Sequence, residues 1–178
     1  MKFKYTLLIL VLLAGNVFAQ KDKIKWYGFE EAIALSKENP KKIFVDVYTD
    51  WCGWCKKMDK STFVHPVIVE HMNENYYPVK FDAESSDTIR FKEYTFVNPK
   101  PDARRSSHQL AQALLRGKMS YPSYTFLTEK GELIMVVPGY RKAPEFEKIL
   151  QYFTSNAYKS KEWNAFASEF EGSIKSAE

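Results

Sequence analysis

The chain is poor in the residues that build metal centres and crosslinked scaffolds. Among 178 residues there are two cysteines and three histidines. Two cysteines make one disulfide at most, which excludes a small secreted scaffold held by several bridges. His65, His71 and His108 have no ligand-like spacing to one another, so no metal is expected. Beyond residue 19 no apolar run approaches the roughly 20 residues of a membrane-spanning helix. A surplus of one charge sign is lacking as well. The 26 Lys and Arg stand against 22 Asp and Glu, too near balance to argue for nucleic acid. There is no internal repeat, heptad seam or low-complexity tract.

What is present begins with an export signal over residues 1–19. Lys2 and Lys4 precede a short apolar core from Thr6 to Ala14, and Val17-Phe18-Ala19 offers small residues for cleavage. No cysteine precedes Cys52, so a lipid anchor at that site is excluded. Cleavage near Ala19 leaves residues 20–178 as a single domain of ordinary size, periplasmic or secreted and not inserted in a membrane. An apolar content of 45% is ample for its core.

The two cysteines lie three positions apart, as Cys52-Gly53-Trp54-Cys55. A disulfide stabilises by closing a loop. On the chain-entropy account a four-residue loop gives about 2 kcal/mol against nearly 5 for a 100-residue loop. This spacing is poor for a staple and good for exchange, because the second thiol can attack any mixed disulfide formed on the first.

Apolar spacing sets the surroundings of the pair. Helices are expected over 29–38, stopped by Asn39-Pro40, then over 56–63 and 67–73, the latter opened by Pro66. Residues 43–48 and 77–81 read as buried strands. Residues 84–107 read as irregular, with Phe91, Tyr94 and Phe96 ahead of Arg104-Arg105. A helix at 110–114 ending at Gly117 precedes strands 124–127 and 133–137, joined by Glu129-Lys130-Gly131. A helix over 143–153 follows. A last helical segment places Trp163, Phe166, Phe170 and Ile174 on one core-facing stripe. The expected fold is α/β, a central mixed sheet with helices on both faces. Cys52 then sits at a helix start, where free N–H groups and the helix dipole stabilise a thiolate. Cys52 is the expected nucleophile and the deeper Cys55 the resolving thiol.

The stretch Ile43-Phe44-Val45-Asp46-Val47-Tyr48-Thr49-Asp50-Trp51-Cys52-Gly53-Trp54-Cys55-Lys56 resembles the thioredoxin active site almost position for position. Ser120-Tyr121-Pro122-Ser123 stands where that family carries its cis-proline. The extended form through Lys57-Met58-Asp59 and Thr62-Phe63 is similar to exported thioredoxin-like proteins and the C-terminal periplasmic domain of DsbD-type reductant carriers. The resemblance covers about residues 41–152. It implies a thioredoxin-like fold, with 84–107 as an insertion before the helix that leads to Pro122 and 158–178 as a C-terminal helical extension.

The same resemblance implies roles for further residues. Asp46 is a carboxylate in an apolar strand, costly unless protonated or paired. Its implied role is a buried base for Cys55. Lys80 tunes that acid, and the Tyr121-Pro122 edge pairs with a partner's backbone. Trp51, Gly53, Trp54 and Tyr121 form the contact surface. Trp54 replaces the family's proline and restores a backbone N–H near Cys52, an expected gain of a few tens of millivolts in oxidising power. The activity implied is thiol–disulfide exchange, reductive or isomerising, with no cofactor beyond the Cys52–Cys55 pair. Its partners are exported proteins with disulfides and a membrane-bound thiol donor. The competing reading is a binding module of the same fold whose cysteine pair is static or holds a metal. That module has no need of Asp46 or the Tyr121-Pro122 edge.

Overall fold

A computed structural model describes residues 23–175. The expected export signal lies outside the described residues. The first half alternates helix and strand: α1 (Phe29–Glu38), β1 (Lys42–Tyr48), α2 (Gly53–Ser61), α3 (Pro66–Asn75) and β2 (Tyr76–Asp82). A short hairpin follows, β3 (Ile89–Phe91) and β4 (Tyr94–Phe96). The chain then runs through α4 (Gln109–Leu114), β5 (Ser123–Leu127), β6 (Leu133–Pro138), α5 (Ala143–Thr154) and α6 (Trp163–Glu169).

Four strands form the main sheet in the order β2-β1-β5-β6. β1 and β2 are parallel, while β5 runs antiparallel to both β1 and β6. The parallel pair needs a crossover, which α2 and α3 supply. The antiparallel pair needs only a tight turn, and Gly131 supplies it at φ +73°. A Cβ at Gly131 would lie 2.6 Å from the Phe91 ring, so this turn also packs on the β3–β4 hairpin.

Residues of β1 alternate between two cores. Phe44 joins Met58, Tyr124, Phe126 and Phe146 on the face covered by α2, α3 and α5. Ile43, Val45 and Val47 join Phe29, Ile33 and Leu110 on the face covered by α1 and α4. Period-two alternation therefore puts Asp46 on the α2 side, beneath the cysteine pair.

Two expectations are corrected. Residues 84–107 are not irregular throughout. They hold the β3–β4 hairpin, which docks on α1 through Phe29 and Phe91, rings 5.5 Å apart, and through Arg90 N–H donating to Glu30 at 2.7 Å. Three-residue strands give too little alternation to be read from sequence. The final helix stops at Glu169 and does not run on to Ile174. The buried carboxylate of Glu147 draws the chain back, accepting from Ser173 N–H at 2.8 Å and Ile174 N–H at 3.0 Å. The aromatic stripe still packs as expected, Trp163 and Phe166 standing 5.3 and 5.0 Å from Tyr152.

Candidate active site

The site is assembled from three places in the sequence: the end of β1 with the start of α2, the middle of β2, and the turn before β5. Cys52 caps α2 and is joined to Cys55 by a disulfide. The Cys52 Sγ accepts a hydrogen bond from Cys55 N–H at 3.1 Å. This is an otherwise unsatisfied donor of the first helical turn, and it favours a thiolate on Cys52 once the pair is reduced. Cys52 is 5% exposed and Cys55 2%. Neither sulfur is open, but Cys52 is the one a partner reaches first.

One expectation fails here. The donor to Cys52 is the N–H of Cys55, and the N–H of Trp54 makes no such bond. A proline at position 54 removes nothing that holds the sulfur. Trp54→Pro should therefore shift the reduction potential by less than the ~30 mV that corresponds to ~1.4 kcal/mol. Equilibration against a glutathione series measures this. A shift larger than that toward a more reducing potential would restore a role for the Trp54 N–H.

Asp46 lies under the pair, 1% exposed. One carboxylate oxygen accepts from Lys80 Nζ at 2.8 Å, and the other has no partner among the described residues. Burial pushes its pKa up from 3.8 to about 6, with the Lys80 ammonium and its hydrogen bond pulling the other way. Lys80 is in register with Asp46 across β1 and β2. Burial acts to lower its pKa, but Asp46 and Asp59 together raise it. Asp59, from the far end of α2, bonds the same ammonium. Its signal in the sequence is its position four residues past Cys55, one helical turn further along the same face. The rings of Trp26, Tyr48 and Phe63 enclose the ammonium at 5.0–5.3 Å. A cavity of about 420 Å³, lined in part by Trp26, Asp59, Phe63 and Lys80, opens behind this ion network.

Tyr121–Pro122 is a cis peptide, as the resemblance implies. The Pro122 carbonyl is taken by Gly139 N–H at 2.8 Å. The backbone N–H and C=O of Tyr121 have no partner among the described residues, so an edge of main chain is free beside the disulfide. The Tyr121 ring meets Trp51 edge-on, centroids 5.7 Å apart. The exposed rings of Trp51 and Trp54 flank the cysteines, with Gly53 between them.

The Arg104-Arg105 region reads from sequence as a solvated loop, and both residues are exposed in one, but the loop lies against the site. The Arg105 guanidinium lies 5.0 Å from the centre of the Trp51 ring. Glu84 also engages Trp51, accepting its indole N–H at 3.0 Å. Both ends of the 84–107 segment therefore touch the residue next to Cys52. His108, with no predicted role, fixes the end of this segment. Its Nδ1 accepts from Leu110 N–H at 3.0 Å, and its Nε2 donates to the Asp87 carbonyl at 2.9 Å.

The sequence model of the thioredoxin-like domain matches residues 29–154. An uncharacterized protein of Archaeoglobus fulgidus is 36% identical over 92 residues, which cover 49% of this chain and 72% of that protein. The thiol:disulfide interchange protein DsbD of Pseudoalteromonas atlantica is 30% identical over 67 residues, 37% of this chain. The match covers only 11% of that relative's length. A putative disulphide-isomerase from Bacteroides thetaiotaomicron superposes with a TM-score of 0.55 at 24% identity, covering 81% of this chain and all of that one. That likeness supports the fold. A domain of this fold with a joined Cys-x-x-Cys pair at a helix start has the arrangement of a thiol–disulfide oxidoreductase, and the chain belongs to the thioredoxin-like domain family.

Proposed function

We propose that the protein exchanges dithiol and disulfide with exported proteins, acting as a reductase or isomerase. The observation that carries this reading is the Cys52–Cys55 disulfide at the start of α2, with Asp46 beneath it and the free Tyr121 edge beside it. A static crosslink has no use for a buried carboxylate or an open backbone edge.

In the reducing direction the Cys52 thiolate attacks one sulfur of a partner disulfide. A mixed disulfide forms and the partner's other sulfur leaves as a thiolate. Cys55 gives its proton to Asp46 and attacks Cys52 Sγ. The Cys52–Cys55 bond forms, and the partner's second thiolate departs. The partner disulfide has gained two electrons and the cysteine pair has lost two. A membrane-bound thiol donor of the exported compartment returns them. Lys80 and Asp59 link Asp46 to the cavity behind it, which gives the proton a way out. Tyr121 and Pro122 hold the partner's chain as an added strand, and Trp51 and Trp54 cover the reacting sulfurs.

The test is reduction of insulin by the purified protein with a dithiol donor. A rate above that of the donor alone supports the reading, and no acceleration overturns it. The direction is set by the potential of the pair against glutathione. A value near −120 mV, the strongly oxidising end of the known range, would overturn the reductive assignment.

A further inference from the structure

The disulfide is flanked by two cations, each resting on an aromatic ring and each without an ion-pair partner among the described residues. On one side Arg105 lies over Trp51, the residue before Cys52. On the other side Lys57 Nζ lies 4.8 Å from the centre of the Trp54 ring and 5.2 Å from that of Tyr140. Neither Arg105 nor Lys57 forms a salt bridge or a side-chain hydrogen bond there. Glu84, which engages the same Trp51, accepts from its indole N–H and forms no salt bridge with Arg105. Asp50 is exposed nearby in sequence and has not taken it either.

The position of Arg105 is built. Its φ is +59°, in a region non-glycine residues seldom occupy. Two successive turns hold it there, Ala103 N–H to the Lys100 carbonyl at 3.0 Å and Ser106 N–H to the Ala103 carbonyl at 3.1 Å. Asn98, 7% exposed, ties the same loop together by donating to Ser106 Oγ at 2.8 Å and to the Glu84 carbonyl at 3.1 Å. Such backbone conformations persist where the surroundings fix them, and they gather at functional sites. A guanidinium resting on an indole keeps in-plane N–H donors free at its edge, a geometry that suits a carboxylate.

Building on the exchange activity proposed above, we propose that this rim selects partner disulfides flanked by Asp or Glu. Arg105 and Lys57 are the cations that receive those side chains on either side of Cys52–Cys55. The aromatic rings orient the cations and exclude water from one face of each. The free Tyr121 edge fixes the partner's main chain, so that side chains neighbouring its cysteine reach the two cations.

The test compares two peptides, each with one disulfide, flanked by Asp in one and by Lys in the other. Reduced protein is mixed with each, and the second-order rate is read by stopped flow. The acidic peptide should react about fivefold faster at low salt, the scale of a partly exposed ion pair, and the preference should fade near 1 M salt. Arg105→Glu combined with Lys57→Glu should invert the preference, an outcome that misfolding does not produce. Lys37→Glu, a remote reversal at the end of α1, should leave the ratio as it is. Equal rates for the two peptides, or a ratio that Lys37→Glu changes as much as Arg105→Glu does, would overturn the proposal. Reaction of the wild-type protein with a neutral small disulfide keeps the two readings apart. Failure there removes the exchange activity itself, while success there with equal peptide rates removes only the selection.

Discussion

Cys52→Ser should bring insulin reduction down to the rate of the dithiol donor alone, while Cys55→Ser should still attack once and then stop as a mixed disulfide. The asymmetry follows from the helix start. Cys52 is the cap of α2, and its sulfur already accepts the Cys55 N–H. That donor and the N-terminal end of the helix dipole hold the reduced sulfur as a thiolate, which is the attacking form. A serine hydroxyl at the same place stays protonated and cannot form the mixed disulfide at all. Cys55 sits inside the first turn and is the more enclosed of the two. Its loss spares the first attack but removes the only internal thiol able to release the partner. Cys55→Ser should therefore accumulate covalent adducts with exported proteins, visible as bands that a reductant dissolves on a non-reducing gel. Full turnover in Cys52→Ser would sink the mechanism. Adducts attached through Cys55 in the Cys52→Ser variant would reverse the assigned roles.

The chemistry was legible in the sequence where it rests on local pattern. The apolar, β-branched run of β1, the cysteine spacing and the Tyr121-Pro122 pair each carry their meaning within a few residues. The expected strands and most helices lie where the structure has them for the same reason. Contacts between distant segments leave no such mark. Nothing in Glu84 or Arg105 announces that both meet Trp51, because the encounter depends on how Asn98 and His108 fold the intervening chain. The β3–β4 hairpin escapes for a related reason, since its short strands are held by docking on α1 more than by their own alternation. Deleting residues 84–107 would thus uncover Phe29 and Gly131 as well as remove the rim, and point changes at Arg105 are the cleaner probe. Substitution within the Cys-x-x-Cys motif points to a first-turn N–H as the donor to Cys52, but which residue of the turn supplies it depends on the helix geometry, and it is Cys55 and not Trp54.

Asp46→Asn should slow resolution of the mixed disulfide by about a hundredfold, the lower end of what a positioned base contributes, and leave the first attack little changed. Asp46 lies on the α2-facing side of β1, and its unpartnered oxygen is the acceptor available to a proton from buried Cys55. The first step needs no such acceptor, because the Cys52 thiolate is already formed. The same change should make the oxidised protein more stable. The carboxyl has an ordinary pKa of 3.8 and is held near 6 in the folded state, because burial outweighs the Lys80 ammonium. The folded state therefore binds the proton more tightly than the unfolded chain does. Stability is complete below the unfolded value and is lost as pH rises from about 4 through about 6, by roughly 3 kcal/mol in all. Asparagine does not ionise, so it escapes that loss, which is already net of the ion pair with Lys80, and the ammonium keeps Asp59. The gain should be on the order of 3 kcal/mol near pH 8 and small near pH 4. Urea unfolding of the oxidised proteins at both pH values measures it, and stopped flow separates attack from resolution. In the wild type the resolution rate should rise with pH through about 6, the value set by Asp46, and this limb should vanish in the variant. Equal slowing of both steps, or a variant no more stable near pH 8 than near pH 4, would show that Asp46 serves the fold and not the proton transfer.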